Sequence, residues 1–148
     1  MMIPPDFREF FVLLNKHEVE YLIVGSYALA FHGSPRYTGD VDVLVRRSPE
    51  NAARVLKALD AFGFSFPNLA AEDFVEPENT VQLGMPPVRI DLLTSITGVS
   101  WEEADASKVQ ALLDGVPVRY IGREQYVANK RALGRKKDLA DLEALGET

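Results

Sequence analysis

What the chain lacks narrows its chemistry first. It has no cysteine, so disulfides, thiol nucleophiles and cysteine-ligated metals are excluded, and a reducing compartment fits. Only two histidines occur, His17 and His32; neither neighbours the aspartates that matter below, and both read as structural. Basic charge is in deficit, with 16 Lys and Arg against 22 Asp and Glu, net −6. Such a chain is a poor non-specific binder of nucleic acid or of an anionic membrane surface. A polyanion would have to be met by a local basic patch. No apolar run approaches the roughly 20 residues that span a bilayer, and the opening MMIPPDFREF has neither the basic nor the long apolar region of a signal peptide. Neither common nucleotide loop, GxxxxGK[ST] or GxGxxG, is present. Internal repeats, linkers and low-complexity stretches are absent too. The expectation is a soluble, cytoplasmic single domain over 1–148, with room for a real core.

What is there reads as helices alternating with strands. Phe7, Phe10, Phe11 and Leu14 follow the i, i+3, i+4, i+7 spacing of an amphipathic helix opened by Pro5-Asp6. Tyr21 to Val24 is a short apolar strand, broken by Gly25-Ser26, with Ser26 predicted to cap a short helix that Gly33 ends. Asp40 to Val45 alternates as a strand. Ser48-Pro49-Glu50 opens a further helix that Gly63 stops, and Asn68 to Asp73 predicts one helical turn. TVQLG and VRIDLLT are two strands around Gly84-Met85-Pro86-Pro87. Ser100 and Glu103 form a capping box. VQALL and VPVRYI flank Asp114-Gly115, a hairpin signal, with Pro117 predicting an edge strand. Two helices close the chain, about 123–133 and 138–145, separated by GRKK. The hairpins predict a mixed rather than a parallel sheet. The class is α/β or α+β, with helices packed on a mixed twisted sheet.

Three features carry chemistry. A strand that ends in Gly-Ser at a helix start offers close backbone approach, unpaired N–H groups and a hydroxyl donor to a phosphate, although most such turns bind nothing. Asp40 and Asp42 lie two apart on a strand and so share a face, where two carboxylates repel. Either that face is solvated, or a cation offsets the charge, and oxygen ligands with room for water and phosphate suit Mg²⁺ or Mn²⁺. Asp91 is a third acid set in an apolar strand, VRIDLL; Arg89 shares its face and could simply pair with it. If that strand neighbours Asp40 and Asp42, three carboxylates converge beside the Gly-Ser turn, an arrangement suited to two-metal phosphoryl or nucleotidyl transfer.

The stretch VGSYALAFHGSPRYTGDVDVLV resembles the signature of the DNA polymerase β-type nucleotidyltransferase superfamily. That signature is Gly followed by Gly or Ser, a spacer of about a dozen residues, then Asp-hydrophobic-Asp. Here residues 27–39 separate Ser26 from Asp40. The texture GSYALAFHG…PRYTGDVD, with NKRALGRKKDLADL near the C-terminus, resembles a small bacterial branch related to abortive-infection, toxin–antitoxin nucleotidyltransferases.

The resemblance implies a minimal polymerase-β-like fold and transfer of a nucleoside monophosphate from a nucleoside triphosphate to a hydroxyl, with pyrophosphate released. It implies that Gly25 and Ser26 hold the β- and γ-phosphates and that Asp40, Asp42 and Asp91 ligate Mg²⁺ or Mn²⁺, with Asp91 helping to deprotonate the attacking hydroxyl. Lys130 would sit near the phosphates or acceptor with Asp138 as its partner, and Arg36 would serve a phosphate or structural role. The ordinary reading of Lys130 and Arg36 is a solvated face, and of Asp138 a helix cap. The acceptor is left open among a protein Ser, Thr or Tyr, an RNA end near Arg135 to Lys137, and a small molecule such as an aminoglycoside. Only two short helices follow Tyr120, fewer than the larger relatives carry, so acceptor choice could fall to a partner, a second subunit or the cleft itself. The alternative is a weakly catalytic or non-catalytic binding module, one half of a toxin–antitoxin pair. Trp101 with Tyr126 could stack on a base, although packing is the ordinary explanation for both.

Overall fold

The computed structural model describes residues 2–35, 39–63, 69–85 and 88–147. Arg36 lies outside the described residues. The first helix, α1 (Pro5–Lys16), buries the four residues its spacing marks, Phe7, Phe10, Phe11 and Leu14. It carries Asp6 in its first turn and Lys16 in its last, each at the end its charge favours. The chain then enters β1 (Tyr21–Val24), buried throughout, and turns into α2 (Gly25–Phe31). It returns as β2 (Asp40–Val45), antiparallel to β1.

Helix α3 (Pro49–Phe62) starts and stops as its sequence predicts: the Ser48 hydroxyl accepts a hydrogen bond from the Asn51 backbone N–H, and Gly63 ends it at φ +93°. Phe62 packs its ring 5.5 Å from that of Phe10, joining α3 to α1. Asn51 is fully buried and staples β1 to β2: its side chain accepts from the Glu20 N–H and donates to the carbonyls of Glu20 and Arg46. The predicted turn at 68–73 falls at Ala71–Phe74 as a single 3-10 turn, where buried Phe74 anchors it; Asn68 lies outside the described residues.

Strands β3 (Thr80–Met85) and β4 (Val88–Leu93) form one antiparallel hairpin, and β5 (Val109–Leu113) and β6 (Val116–Tyr120) another. Between the hairpins lies α4 (Trp101–Ala106), held by the predicted capping box of Ser100 and Glu103. The six strands make one mixed sheet in the order β3-β4-β2-β1-β6-β5, with β4 parallel to β2 and β6 parallel to β1. Helices α5 (Arg123–Leu133) and α6 (Lys136–Ala144) close the chain.

Three local expectations need correction. Ser26 is not a cap: Gly25 makes the turn at φ +65°, a conformation glycine takes without strain, and Ser26 already lies inside the helix. Pro117 does not mark the edge, since β5 is outermost and β6 lies inside it. The proline is tolerated because β6 meets β1 at Ile23↔Tyr120, three residues beyond it. GRKK is not all linker, because Lys136 and Lys137 already belong to α6. No helix among the described residues is long and apolar enough to cross a membrane.

Candidate active site

Topology places the candidate residues. Because β1 and β2 are antiparallel with Val24 opposite Asp42, the Gly25 turn emerges directly against the Asp42 side chain. A Cβ built on Gly25 would overlap Asp42 Oδ2 and come within 3.0 Å of its Cγ. Because β2 and β4 are parallel with Asp42 opposite Asp91 and Asp40 opposite Arg89, all four side chains share one sheet face. The conditional expectation for Asp91 is therefore met: its strand is the neighbour of the Asp40-Asp42 strand.

The glycine contact is testable. Gly25→Ala combines a positive φ that costs an L-residue about 1–2 kcal/mol with a methyl group driven into the Asp42 carboxylate. We expect it to destabilise the protein by about 2–4 kcal/mol in denaturant unfolding. The steric part should disappear in the Gly25→Ala, Asp42→Ala double variant, which removes the opposing carboxylate. Strict additivity of the two changes would rule out the contact.

A cleft of about 300 Å³ opens beside this face. Gly25, Ser26 and Asp42 line one side; Asn129 and Lys130 of α5, with Arg135, Lys137 and Asp141 beyond them, line the other. Of the residues the sequence marks, Gly25, Ser26, Asp42 and Lys130 thus meet in one cavity, while Asp40 and Asp91 stand next to it on the same sheet face. Asn129, Ser95, Thr97 and Asp141 were not singled out in the sequence. Asn129 Nδ2 donates to the Thr97 carbonyl at 2.8 Å, which ties α5 to the segment after β4. The spacing of Asp138 and Asp141, three apart on one helix, was a signal for the last of these.

Lys130 is held in place by two carboxylates. Its ammonium lies 3.3 Å from Asp138 Oδ1 and 3.8 Å from Asp141 Oδ2, and 5.5 Å from the centre of the Tyr126 ring. Asp138 is fully buried and also takes a fork of hydrogen bonds from Arg135, at 2.6 and 3.1 Å, plus the Arg135 backbone N–H. Those partners hold its carboxyl at about 2, with the Arg135 hydrogen bond the main cause. Asp138 does help begin α6, but as the anchor of Lys130 and Arg135 it does more than cap. Tyr126 is buried core, and Trp101 lies in a second cavity away from it.

Electrostatics at the acids runs the other way. Burial pushes the Asp42 carboxyl up to about 6, and repulsion from Asp91 and then Asp40 adds to it, with Lys130 opposing. Arg89 answers part of that charge. Its guanidinium donates to both Asp91 oxygens, at 2.9 and 3.1 Å, and to Asp40 Oδ2 at 3.2 Å. The simple Arg–Asp pair that the sequence allowed therefore exists alongside the acid cluster. Among the described residues no three His, Cys, Asp or Glu side chains are disposed to enclose a metal ion as they stand. The donor set nonetheless suits a hard divalent cation: it is all carboxylate oxygen, and Asp42 is short of counter-charge.

No protein-family model and no curated protein matches this sequence. Solved structures do, and they define the class: the chain has the fold of nucleotidyltransferases. It is similar to TM1012 of Thermotoga maritima, a candidate nucleotidyltransferase, with TM-score 0.66 and 17% identity over 96% of this chain and 93% of that one. It is also similar to the antibiotic-resistance factor ANT(2'')-Ia (TM-score 0.60, 12% identity, 95% and 80% covered). A third is an antigenic nucleotidyltransferase-like protein from Paracoccidioides brasiliensis (TM-score 0.55, 18% identity, 95% and 72% covered).

Proposed function

We propose that the protein transfers a nucleoside monophosphate from a nucleoside triphosphate to a hydroxyl group, releasing pyrophosphate. The observation that carries this is the register of Asp42 opposite Asp91 on parallel strands, with Gly25 pressed against Asp42 and Lys130 across the cleft. Gly25 and Ser26 take the triphosphate tail, since a backbone without a side chain lets phosphate oxygens approach. Lys130, fixed by two carboxylates, presents a cation to those oxygens. Asp40, Asp42 and Asp91 would hold Mg²⁺ or Mn²⁺, which would supply Lewis-acid stabilisation of charge on the transferred and leaving phosphates. Asp91, ion-paired to Arg89, accepts the proton of the attacking hydroxyl. Arg36 is proposed as a further phosphate contact from the sequence resemblance alone.

Calorimetry with a non-hydrolysable triphosphate should show binding that appears with Mg²⁺ and disappears with chelator. Label from an α-³²P triphosphate should pass to an acceptor hydroxyl. Absence of any metal-dependent triphosphate binding would remove the enzyme reading. One observation favours the alternative, a binding module of a toxin–antitoxin pair: Arg89 already pairs with both Asp91 and Asp40 and offsets part of their charge. Stable co-purification with a neighbouring gene product, together with no nucleotide binding, would establish it instead.

A further inference from the structure

The sheet face that carries the acids does not stop at the cleft. Continuing two residues at a time, Asp40 and Asp42 are followed by Leu44 and Arg46, and on β4 Asp91 is followed by Leu93 and Ser95. At that end lies a second cavity of about 360 Å³. It shares the Ser95–Ile96 wall with the cleft and is closed on its far side by Ser100 and Trp101 at the start of α4. Asp42 and Arg46 are four residues apart, roughly 13 Å along an extended chain, a span that a sugar phosphate bridges only together with the length of an arginine side chain.

Three serine hydroxyls of this cavity share one arrangement. Ser48 Oγ accepts from the Asn51 N–H at 3.1 Å, Ser95 Oγ from the Glu78 N–H at 2.8 Å, and Ser100 Oγ from the Glu103 N–H at 3.1 Å. Each hydroxyl is thereby fixed in place through its oxygen and keeps its own proton to give. Arg46 is occupied by both oxygens of Glu20. Arg47 forms no ion pair among the described residues and brings a full set of guanidinium donors. The indole N–H of Trp101 can only donate. Glu102 is the one acid of the lining against two arginines, and like Arg47 it is exposed to solvent. Three pinned hydroxyls, an arginine without an ion pair among the described residues and an indole describe a receptor for an oxyanion with a ring beside it.

Building on the nucleotidyl-transfer reading, we propose that this second cavity is the acceptor pocket and that the acceptor carries a phosphate monoester on a sugar. Arg47 and the serine hydroxyls grip the phosphate, Trp101 packs against the ring, and the free hydroxyl of the sugar points over the Ser95–Ile96 wall towards Asp42 and Asp91. The bond formed joins that hydroxyl oxygen to the α-phosphorus. The bond broken frees pyrophosphate, and the hydroxyl proton passes to Asp91. A polycationic acceptor is disfavoured, because the cavity offers donors and a positive charge.

Trp101 is the only tryptophan of the chain, so its fluorescence reports this cavity alone. In chelator, without triphosphate, titration with ribose 5-phosphate should give a saturable change, and ribose should give none. Arg47→Ala should weaken the ribose 5-phosphate response at least tenfold, as loss of a charge-assisted contact implies. Lys130→Ala, which alters the neighbouring cleft, should leave it within twofold. A 5′-phosphorylated dinucleotide binding more tightly than ribose 5-phosphate would make the source a nucleic-acid end; the reverse would make it a free sugar phosphate. No saturable change overturns the proposal. So does a response insensitive to Arg47→Ala, one lost equally in Lys130→Ala, or tighter binding of kanamycin. Failure of nucleotidyl transfer itself would show separately, as missing metal-dependent triphosphate binding, and would leave this titration standing.

Discussion

Replacing Asp42 with asparagine should abolish transfer and, in metal-free buffer at pH 7.5, raise the melting temperature. The two effects have one cause. Asp42 is partly buried beside Asp91 and Asp40, and its carboxyl is pushed up to about 6 from an ordinary value of 3.8. A group whose proton is held more tightly in the folded chain stabilises the fold most when protonated in both states, below about pH 4. That contribution is lost as pH rises through about 6. At pH 7.5 the ionised carboxylate then costs the metal-free fold roughly 1–3 kcal/mol. Asparagine keeps the shape, donates to Asp91 and carries no charge. A gain of that size corresponds to a few degrees in a domain of this length. Wild-type protein in chelator should also melt higher at pH 5 than at pH 7.5, and the variant should lack that slope. Mg²⁺ should narrow the gap between the two at pH 7.5 by binding the wild type alone. On the proposed mechanism transfer uses the negative charge, and its loss should lower turnover by about 10³ or more, equivalent to about 4 kcal/mol of transition-state stabilisation. If the variant melts lower at pH 7.5 and keeps its activity, Asp42 is a structural residue.

The distinction between cost and use explains which parts of the molecule were legible from sequence. Features set by neighbours along the chain came through. The Phe7–Phe10–Phe11–Leu14 stripe, the Ser48-Pro49 start, the Ser100–Glu103 box and the Asp114-Gly115 hairpin all depend on residues within a turn or two of each other. So did the acid pair Asp40-Asp42, whose shared face follows from the two-residue period of a strand. Features set by distant partners did not. Pro117 reads as an edge residue because proline lacks an N–H, yet which strand is outermost depends on how two hairpins dock around β1. Nothing in SPENAARV announces that Asn51 will bridge Glu20 and Arg46, because that role needs β1 and β2 side by side.

The site divides the same way. Gly25 was recognisable as a turn, but its reason is the carboxylate of a residue seventeen positions later, brought opposite by antiparallel pairing. Arg89 and Asp91 were recognisable as a same-face pair; that Arg89 also reaches Asp40 follows from the parallel register of β2 and β4. Arg89 thus ties the acids of two strands together. Asp42, which Arg89 does not bond, has a raised proton affinity. A demand for positive charge thus sits at a carboxylate that faces the cleft.

Across the cleft the balance is reversed, and that predicts the second large effect. Asp138→Ala should destabilise the protein by about 3 kcal/mol, whereas Arg135→Ala should cost about 1 kcal/mol or less. Both remove the same ion pair, so the pair alone cannot account for the difference. Breaking a buried pair from one side costs about 3–5 kcal/mol when the abandoned charge cannot reach water. The Arg135 side chain is 52% exposed and can be rehydrated, but that of Lys130, 12% exposed at the cleft wall, gains far less water. Loss of Asp138 leaves Lys130 with Asp141 at 3.8 Å and the Tyr126 ring, which places the cost near the lower end of that range. Loss of Arg135 leaves Asp138 still bonded to Lys130. Because Asp138 is held at about 2, well below 3.8, its contribution is present above about pH 4 and fades as pH falls towards 2. The wild-type advantage over Asp138→Ala should therefore shrink in acid-unfolding measurements across that window. With its anchor gone, Lys130 should no longer meet the triphosphate, so triphosphate affinity should fall along with stability. A variant that loses stability but binds triphosphate as wild type would separate the anchor from the site and leave Lys130 without its proposed role.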